Sequence, residues 1–159
     1  MGAMSESEIV IRAIGAADAG ECEEILRALP EWFGIEESIV GYLRDLKWMP
    51  GFAAVVEGRV AGFLALREHN ALASELQVMG VRPELHRRGV GRRLMESAEE
   101  SLRSRGVRLL QVKTLAASDP DPRYVRTREF YAAMGFVPLE ETAAFWGEEN
   151  PTLVMVKAL

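Results

Sequence analysis

The stretch Val81 to Leu94, VRPELHRRGVGRRL, decides how the rest of the chain is read. It closes an apolar run, turns at Pro83, and enters a helix through Gly89 and Gly91. Arg87, Arg88, Arg92 and Arg93 crowd that helix start. A helix N-terminus carries roughly half a positive charge and several unpaired N–H groups, so cations there oppose the dipole. The arrangement costs stability unless an anion sits on it. Glycines clear side chains from the approach, and the free N–H groups can then point at phosphate oxygens. The stretch therefore predicts a phosphate site, and more specifically a pyrophosphate site. The competing reading is a tight strand-to-helix turn with solvated arginines, and it has to explain cations at the wrong end of a helix.

Two common phosphate motifs do not fit. A dinucleotide fingerprint wants a third glycine where Leu94 stands, and an acidic residue ~20 positions further on. A P-loop wants Gly-Lys-Ser/Thr, whereas Gly91 is followed by Arg92-Arg93-Leu94.

Outward from this stretch, apolar periodicity lays out the elements. Ile9 to Ile14 is a short strand. Asp18 with Glu21 reads as a capping box opening a helix whose face is Cys22, Ile25, Leu26 and Leu29, ending at Pro30. A second helix shows Ile39, Leu43 and Leu46 on one side. Phe52–Val56 and Val60–Leu66 form a hairpin around Glu57-Gly58-Arg59, and Leu76–Val81 continues the sheet. The helix from Gly89 to about Arg105 turns Val90, Leu94, Ala98 and Leu102 to one face, and Gly106 ends it. Val107–Leu115 is a strand, Ala116–Pro122 a loop, and a helix runs from about Val125 to Gly135. Phe136–Leu139 and Thr152–Lys157 are the last strands, joined by a connection containing Phe145-Trp146-Gly147. The order βααββ β α β α β β predicts an α+β fold with a mixed, mostly antiparallel central sheet flanked by helices.

Bulk properties set limits. At 159 residues, 48% hydrophobic and 27% charged, residues 5–159 are expected to form a single domain. Met1–Met4 reads as a cloning scar or a disordered terminus. The net charge of -5 argues against a nucleic-acid partner and makes the arginine cluster local. Cys22 is the only cysteine and His69 and His86 the only histidines, which leaves little for a metal site and no disulfide framework. No apolar run approaches the ~18 residues of a membrane span and no signal pattern opens the chain. A cytoplasmic protein without a membrane partner is expected, as a monomer or a homodimer.

At these residues the chain resembles the GNAT superfamily of acyl-CoA-dependent N-acetyltransferases. Val81-x-Pro83 followed by His86-x-x-Gly89-x-Gly91 is similar to its acyl-CoA signature, and Phe130-Tyr131-x-x-x-Gly135-Phe136 to its C-terminal signature. The separation of the two signatures and the element order from Ile9 to Lys157 agree as well. The resemblance implies acetyl-CoA as cosubstrate, with a main-chain cradle at Arg87, Arg88, Gly89, Val90, Gly91 and Arg92 for its pyrophosphate. It further implies that Met79, Gly80 and Val81 pair with the pantetheine arm by strand addition, and that the Met79 N–H donates to the oxyanion. Two positions depart from the pattern. His86 stands where Gln or Arg is usual, and Tyr124 replaces an asparagine seven residues before the tyrosine.

Moving an acyl group from a thioester to an amine requires deprotonating the amine, stabilising an oxyanion and protonating the leaving thiolate. Glu75, fourteen residues before Gly89, matches the position where some family members carry a catalytic glutamate. It is read either as the relay for the amine proton or as a carboxylate tied into the sheet. Tyr131 is read as the acid that protonates the thiolate and as part of the acetyl-CoA site, with a core aromatic as the alternative. His69, just past a strand, is either a second base or a surface residue. Cys22 reads as core. Trp32, Phe33, Phe145 and Trp146 either line an acceptor mouth at the end of the sheet or plug the core. Glu31, Glu36, Glu37, Glu148 and Glu149 could attract a cationic amine or simply be solvated. The expected function is acetyl transfer to a small-molecule or peptide amine by direct attack in a ternary complex. A non-catalytic acyl-CoA sensor or interaction module is the alternative, and a phosphate-binding regulatory domain a third.

Overall fold

The computed structural model of the chain describes residues 8–30, 32–33, 36–116, 118 and 121–159. Met1–Met4, Glu31 and part of the Ala116–Pro122 loop, on which expectations were placed, lie outside them. The elements are β1 (Val10–Ala13), α1 (Ala19–Arg27), α2 (Glu36–Asp45), β2 (Gly51–Val56), β3 (Arg59–Asn70) and β4 (Ala73–Val81). They continue with α3 (Val90–Ser104), β5 (Leu109–Leu115), α4 (Pro122–Ala133), β6 (Val137–Thr142) and β7 (Thr152–Ala158). The strands are hydrogen-bonded in the order β1-β2-β3-β4-β5-β7-β6. The β4–β5 pair is parallel, while β1–β2, β2–β3, β5–β7 and β6–β7 are antiparallel. The fold is the mixed α+β arrangement expected from the pattern.

Three local expectations need correction. β3 runs on to Asn70 and β4 begins at Ala73, so His69 lies inside a strand and not beyond one. α4 starts at Pro122, three residues early, because the Asp121 carboxylate accepts from the Arg123 N–H at 3.0 Å and proline suits a first helical position. Asp18 makes no side-chain cap to α1. Its carboxylate instead takes two 2.8 Å bonds from Arg12 and one of 2.7 Å from the Gly15 N–H, while Glu21 accepts from the Val60 N–H at 2.8 Å. The bidentate guanidinium, with a full charge on both partners, outcompetes the single N–H bond of a cap.

The chain divides into two compact units, one of residues 1–66 and 78–101, the other of 67–77 and 102–159. In the first, β1, β2 and the start of β3 pair in sequence, with Val10 opposite Val55 and Gly51 opposite Ala65. A side chain at Gly51 would put its Cβ 2.3 Å from the Leu64 carbonyl oxygen, so close strand approach dictates the glycine. Cys22, Ile25 and Leu26 of α1, and Leu29 just beyond its end, are buried with Ile39 of α2 and with Ala53, Val60, Phe63, Ala65 and Val78 of the strands. The 3.6-residue spacing of the α1 set puts its three residues on one face. In the second unit β5 alternates, burying Leu110, Val112 and Thr114 and turning Gln111 and Lys113 the other way. The β4–β5 register runs from Ala73↔Leu109 to Leu76↔Val112, ending five residues before β4 does.

Candidate active site

In the first unit, the turn after β4 is built around charge that the fold uses on one side and leaves open on the other. Arg82 is buried: its Nε donates to the Val60 carbonyl at 2.6 Å and its guanidinium meets Glu24 at 3.1 Å and Glu21 at 3.3 Å. It anchors the strand end. Residues 83–85 make one 3-10 turn, and the His86 Nε2–H donates back to the Val81 carbonyl at 2.8 Å. His86 thus stitches the turn to β4 through its side chain, a role that main-chain reasoning alone does not anticipate. Arg87 follows with φ +64°, a left-handed conformation that costs a non-glycine residue roughly 1–2 kcal/mol. Gly89 has φ +78°, and nothing lies within 4 Å of where its Cβ would be.

Val90 then begins α3, buried, with no acidic residue in the first turn. Arg93 donates to the Ile9 carbonyl at 3.1 Å. Arg87, Arg88 and Arg92 are exposed and form no ion pair among the described residues. Open backbone space, a helix start and three unpaired guanidiniums form a cradle suited to a dianionic diphosphate. In β4, Met79 and Val81 are half-buried and Gly80 is buried.

In the second unit, Glu75 sits in a polar cluster. It is 4% exposed, and its Oε1 accepts from His69 Nε2 at 2.9 Å, Gln111 Nε2 at 3.3 Å and Lys113 Nζ at 3.3 Å. Lys113 also reaches Oε2 at 3.4 Å. The Lys113 ammonium lies 4.1 Å from the centre of the Phe145 ring, a cation–π contact. The structure therefore joins Glu75, His69 and Phe145, three residues singled out separately, through Gln111 and Lys113, which were not. The available signal was the period of two in Leu109–Leu115, where polar Gln111 and Lys113 share one face of an otherwise apolar strand.

Tyr131, also in the second unit, is 8% exposed on α4 and packs edge-on against Phe130 and Phe136, each at 5.6 Å between centroids. Burial pushes its phenol pKa above the ordinary value, so the group stays protonated at neutral pH. No described residue bonds its hydroxyl.

The remaining candidates divide between the units. Trp32 and Phe33 are half-buried against the core of the first, with Phe33 edge-on to Tyr42 at 5.9 Å. Phe145 and Trp146 are 51% and 45% exposed in the β6–β7 connection. Glu36 is bound to Arg27 at 2.7 Å, so its charge is already used. Cys22 is fully buried, and burial pushes its thiol up to about 12, which removes it as a nucleophile. Among the described residues no group of three His, Cys, Asp or Glu side chains is placed to hold a metal ion, and no helix is long and apolar enough to cross a membrane.

Known proteins share this fold. Residues 50–138, more than half of the chain, match the acetyltransferase (GNAT) domain family. An uncharacterized N-acetyltransferase of Chlorobaculum tepidum is 29% identical over 105 residues, 66% of this chain and 57% of that protein, so the match spans little more than half of the relative's length. Among solved structures, a GNAT-family acetyltransferase from Desulfovibrio desulfuricans superposes with a TM-score of 0.83 at 18% identity, over 95% of this chain and 99% of that one. PaiA N-acetyltransferase from Thermoplasma acidophilum, solved in complex with coenzyme A, gives a TM-score of 0.75 at 17% identity, over 96% and 99%. The fold and the family match define an acetyltransferase class. The chain belongs to the GNAT acetyltransferase family.

Proposed function

We propose that this chain transfers an acetyl group from acetyl-CoA to a small-molecule or peptide amine by direct attack in a ternary complex. The observation that carries the proposal is the turn at Arg87–Arg92, whose unpaired guanidiniums and open glycine suit the CoA pyrophosphate. Met79, Gly80 and Val81 take the pantetheine arm by strand pairing, and Met79 N–H donates to the oxyanion. Tyr131 protonates the departing thiolate, a role that its lasting neutrality favours. Glu75 serves the amine proton. Phe145 and Trp146 are the acceptor contacts of the second unit, and Trp32 and Phe33 those of the first. The inert thiol of Cys22 supports direct attack over an acyl-enzyme.

Thermal unfolding with and without acetyl-CoA tests the first half of this reading. At a hundred times the dissociation constant the ligand adds ~2.7 kcal/mol. Gly91→Asp, which sets a carboxylate where phosphate must lie, should abolish the shift. Thiol release from acetyl-CoA across a panel of amines tests the second half, and Cys22 should stay silent in that assay. No shift with millimolar acetyl-CoA overturns the assignment.

A further inference from the structure

We propose that His69 is the group that removes the amine proton, and that Glu75 acts through it as a positioning residue. The proposal rests on the acetyltransfer reading above and deepens it. Glu75 is poorly placed to take a proton itself. Its Oε1 is already shared by three nitrogen donors, and the Lys113 ammonium lies against both of its oxygens. Protonating that carboxylate would leave a largely buried ammonium, 18% exposed, without its counter-charge. The cluster is built to keep Glu75 ionised.

An ionised Glu75 fixes the state of His69. With Nε2 held 2.9 Å from a carboxylate oxygen, the neutral ring carries its hydrogen on Nε2 and presents the lone pair of Nδ1. No described residue bonds Nδ1, and the side chain is 34% exposed, so the lone pair is accessible while the rest of the cluster is covered. This is the base-and-orienter arrangement of nucleophilic active sites, with the two ring nitrogens exchanged. Facing the ring from neighbouring strands are Glu75 of β4 and Lys113 of β5. Within β3, Arg67 stands two residues before His69 on the same strand face, while Glu68, on the alternate face, is taken up by Arg105 at 2.6 Å. A proton gained at Nδ1 is stabilised by Glu75, whose charge Lys113 shares.

The step balances without any further reagent. An ammonium gives one proton to Nδ1, and its freed lone pair forms the N–C bond to the thioester carbonyl carbon. The C–S bond breaks as the carbonyl is restored, and the nitrogen's second proton is matched by the one the thiolate takes up. The products are the amide and the free thiol, and the imidazolium returns its proton to water.

Two measurements test the assignment. The first is the pH profile of kcat/KM for His69→Gln, Glu75→Gln and wild type, with the acetyl-CoA thermal shift measured alongside. His69→Gln should lower kcat/KM by about 10²-fold or more, erase the acid limb of the profile, leave the thermal shift intact and be partly rescued by added imidazole. Glu75→Gln should lower kcat/KM by less than His69→Gln and leave the thermal shift intact. The second is the ring-nitrogen NMR spectrum of neutral His69, which needs no activity and is easily assigned because the chain has two histidines. The hydrogen should sit on Nε2 alone in wild type and be shared between the two nitrogens in Glu75→Leu.

An active wild type whose His69→Gln variant keeps its full rate overturns the base role alone. So does a ring whose tautomer is the same in wild type and Glu75→Leu, because Glu75 then does not act on the ring. A wild type that releases no thiol from any amine overturns the acetyltransfer reading, and the base role with it.

Discussion

Around Gly89 three exposed guanidiniums stand at a helix start without a carboxylate partner among the described residues, whereas around Glu75 three nitrogen donors converge on one buried carboxylate oxygen. The first region has unspent electrostatics. It places cations against a helix dipole and tolerates a left-handed Arg87, both of which weaken the free protein. The second has nearly closed its electrostatics, and what stays open is one imidazole nitrogen. Open charge selects a ligand from solution, while closed charge fixes the direction and protonation state of a few atoms. Binding should therefore depend on the turn and chemistry on the second unit. Each prediction below strains that division.

The largest effect is expected at Tyr131. A phenol that protonates a departing thiolate stabilises charge only as it develops, so it acts on the transition state more than on the bound ground state. Tyr131→Phe keeps the ring and its contacts with Phe130 and Phe136 and removes one oxygen. Where thiolate departure limits the rate, kcat should fall ~10²–10⁴-fold with the acetyl-CoA thermal shift unchanged. Burial raises the phenol pKa, so the acid form persists well into alkaline solution and no loss of rate from Tyr131 should appear there. A variant with normal turnover under chemistry-limited conditions would show that the phenol is not the acid. One that mainly loses stability would make Tyr131 a core aromatic.

A smaller effect, in stability only, is expected at the pair Arg12–Asp18, a closed pair in the same unit as the open turn. Asp18 is 6% exposed, and its pKa is lowered first by the Arg12 guanidinium, with the Gly15 N–H adding to the effect against the cost of burial. A carboxylate with a depressed folded pKa contributes stability that is fully present above its unfolded value of about 4. That contribution is lost as pH falls through the lower folded value. Asp18→Asn should therefore cost about 1–3 kcal/mol at neutral pH, with the gap to wild type closing in acid. Chemical denaturation at pH 7 and pH 3 measures both. Acetyl-CoA binding, normalised for folded protein, should not change.

The same distinction explains what was legible in the sequence. The α1 face, the β2–β3 hairpin turn at Glu57–Arg59 and the glycine turn were readable because each is encoded within a few consecutive residues. Open charge is also readable, since Arg87 to Arg93 lie together in the chain. Closed charge is not. Glu75, Gln111 and Lys113 are brought together only by the register that sets Glu75 opposite Gln111, and His69 joins them only because β3 outlasts its apolar run. Asp18 misled for the same reason: capping is a local rule, and a bidentate partner six residues earlier overrode it. The early start of α4 was missed although Asp121-Pro122 is itself a local signal.

The smallest effect, and the one that most sharpens the comparison, is expected from Arg92→Glu in the first turn of α3. Arg92 has no ion pair among the described residues and stands where the helix presents its positive end. If the cation is there for a ligand, the free protein should be better off without it. A glutamate at this position complements the dipole, so the unliganded fold should gain about 0.3–1 kcal/mol at low salt. The gain should shrink as salt is added, because both the residue and the helix end are exposed. Acetyl-CoA should then bind more weakly, so that one substitution raises the melting temperature of the free protein and lowers that of the mixture. A structural arginine would do the reverse, costing the free protein stability and leaving the ligand-induced shift as it was. Opposite signs in the two melting curves would identify charge held open for an anion, and matching signs would place Arg92 with Arg82 among the residues that hold the turn together.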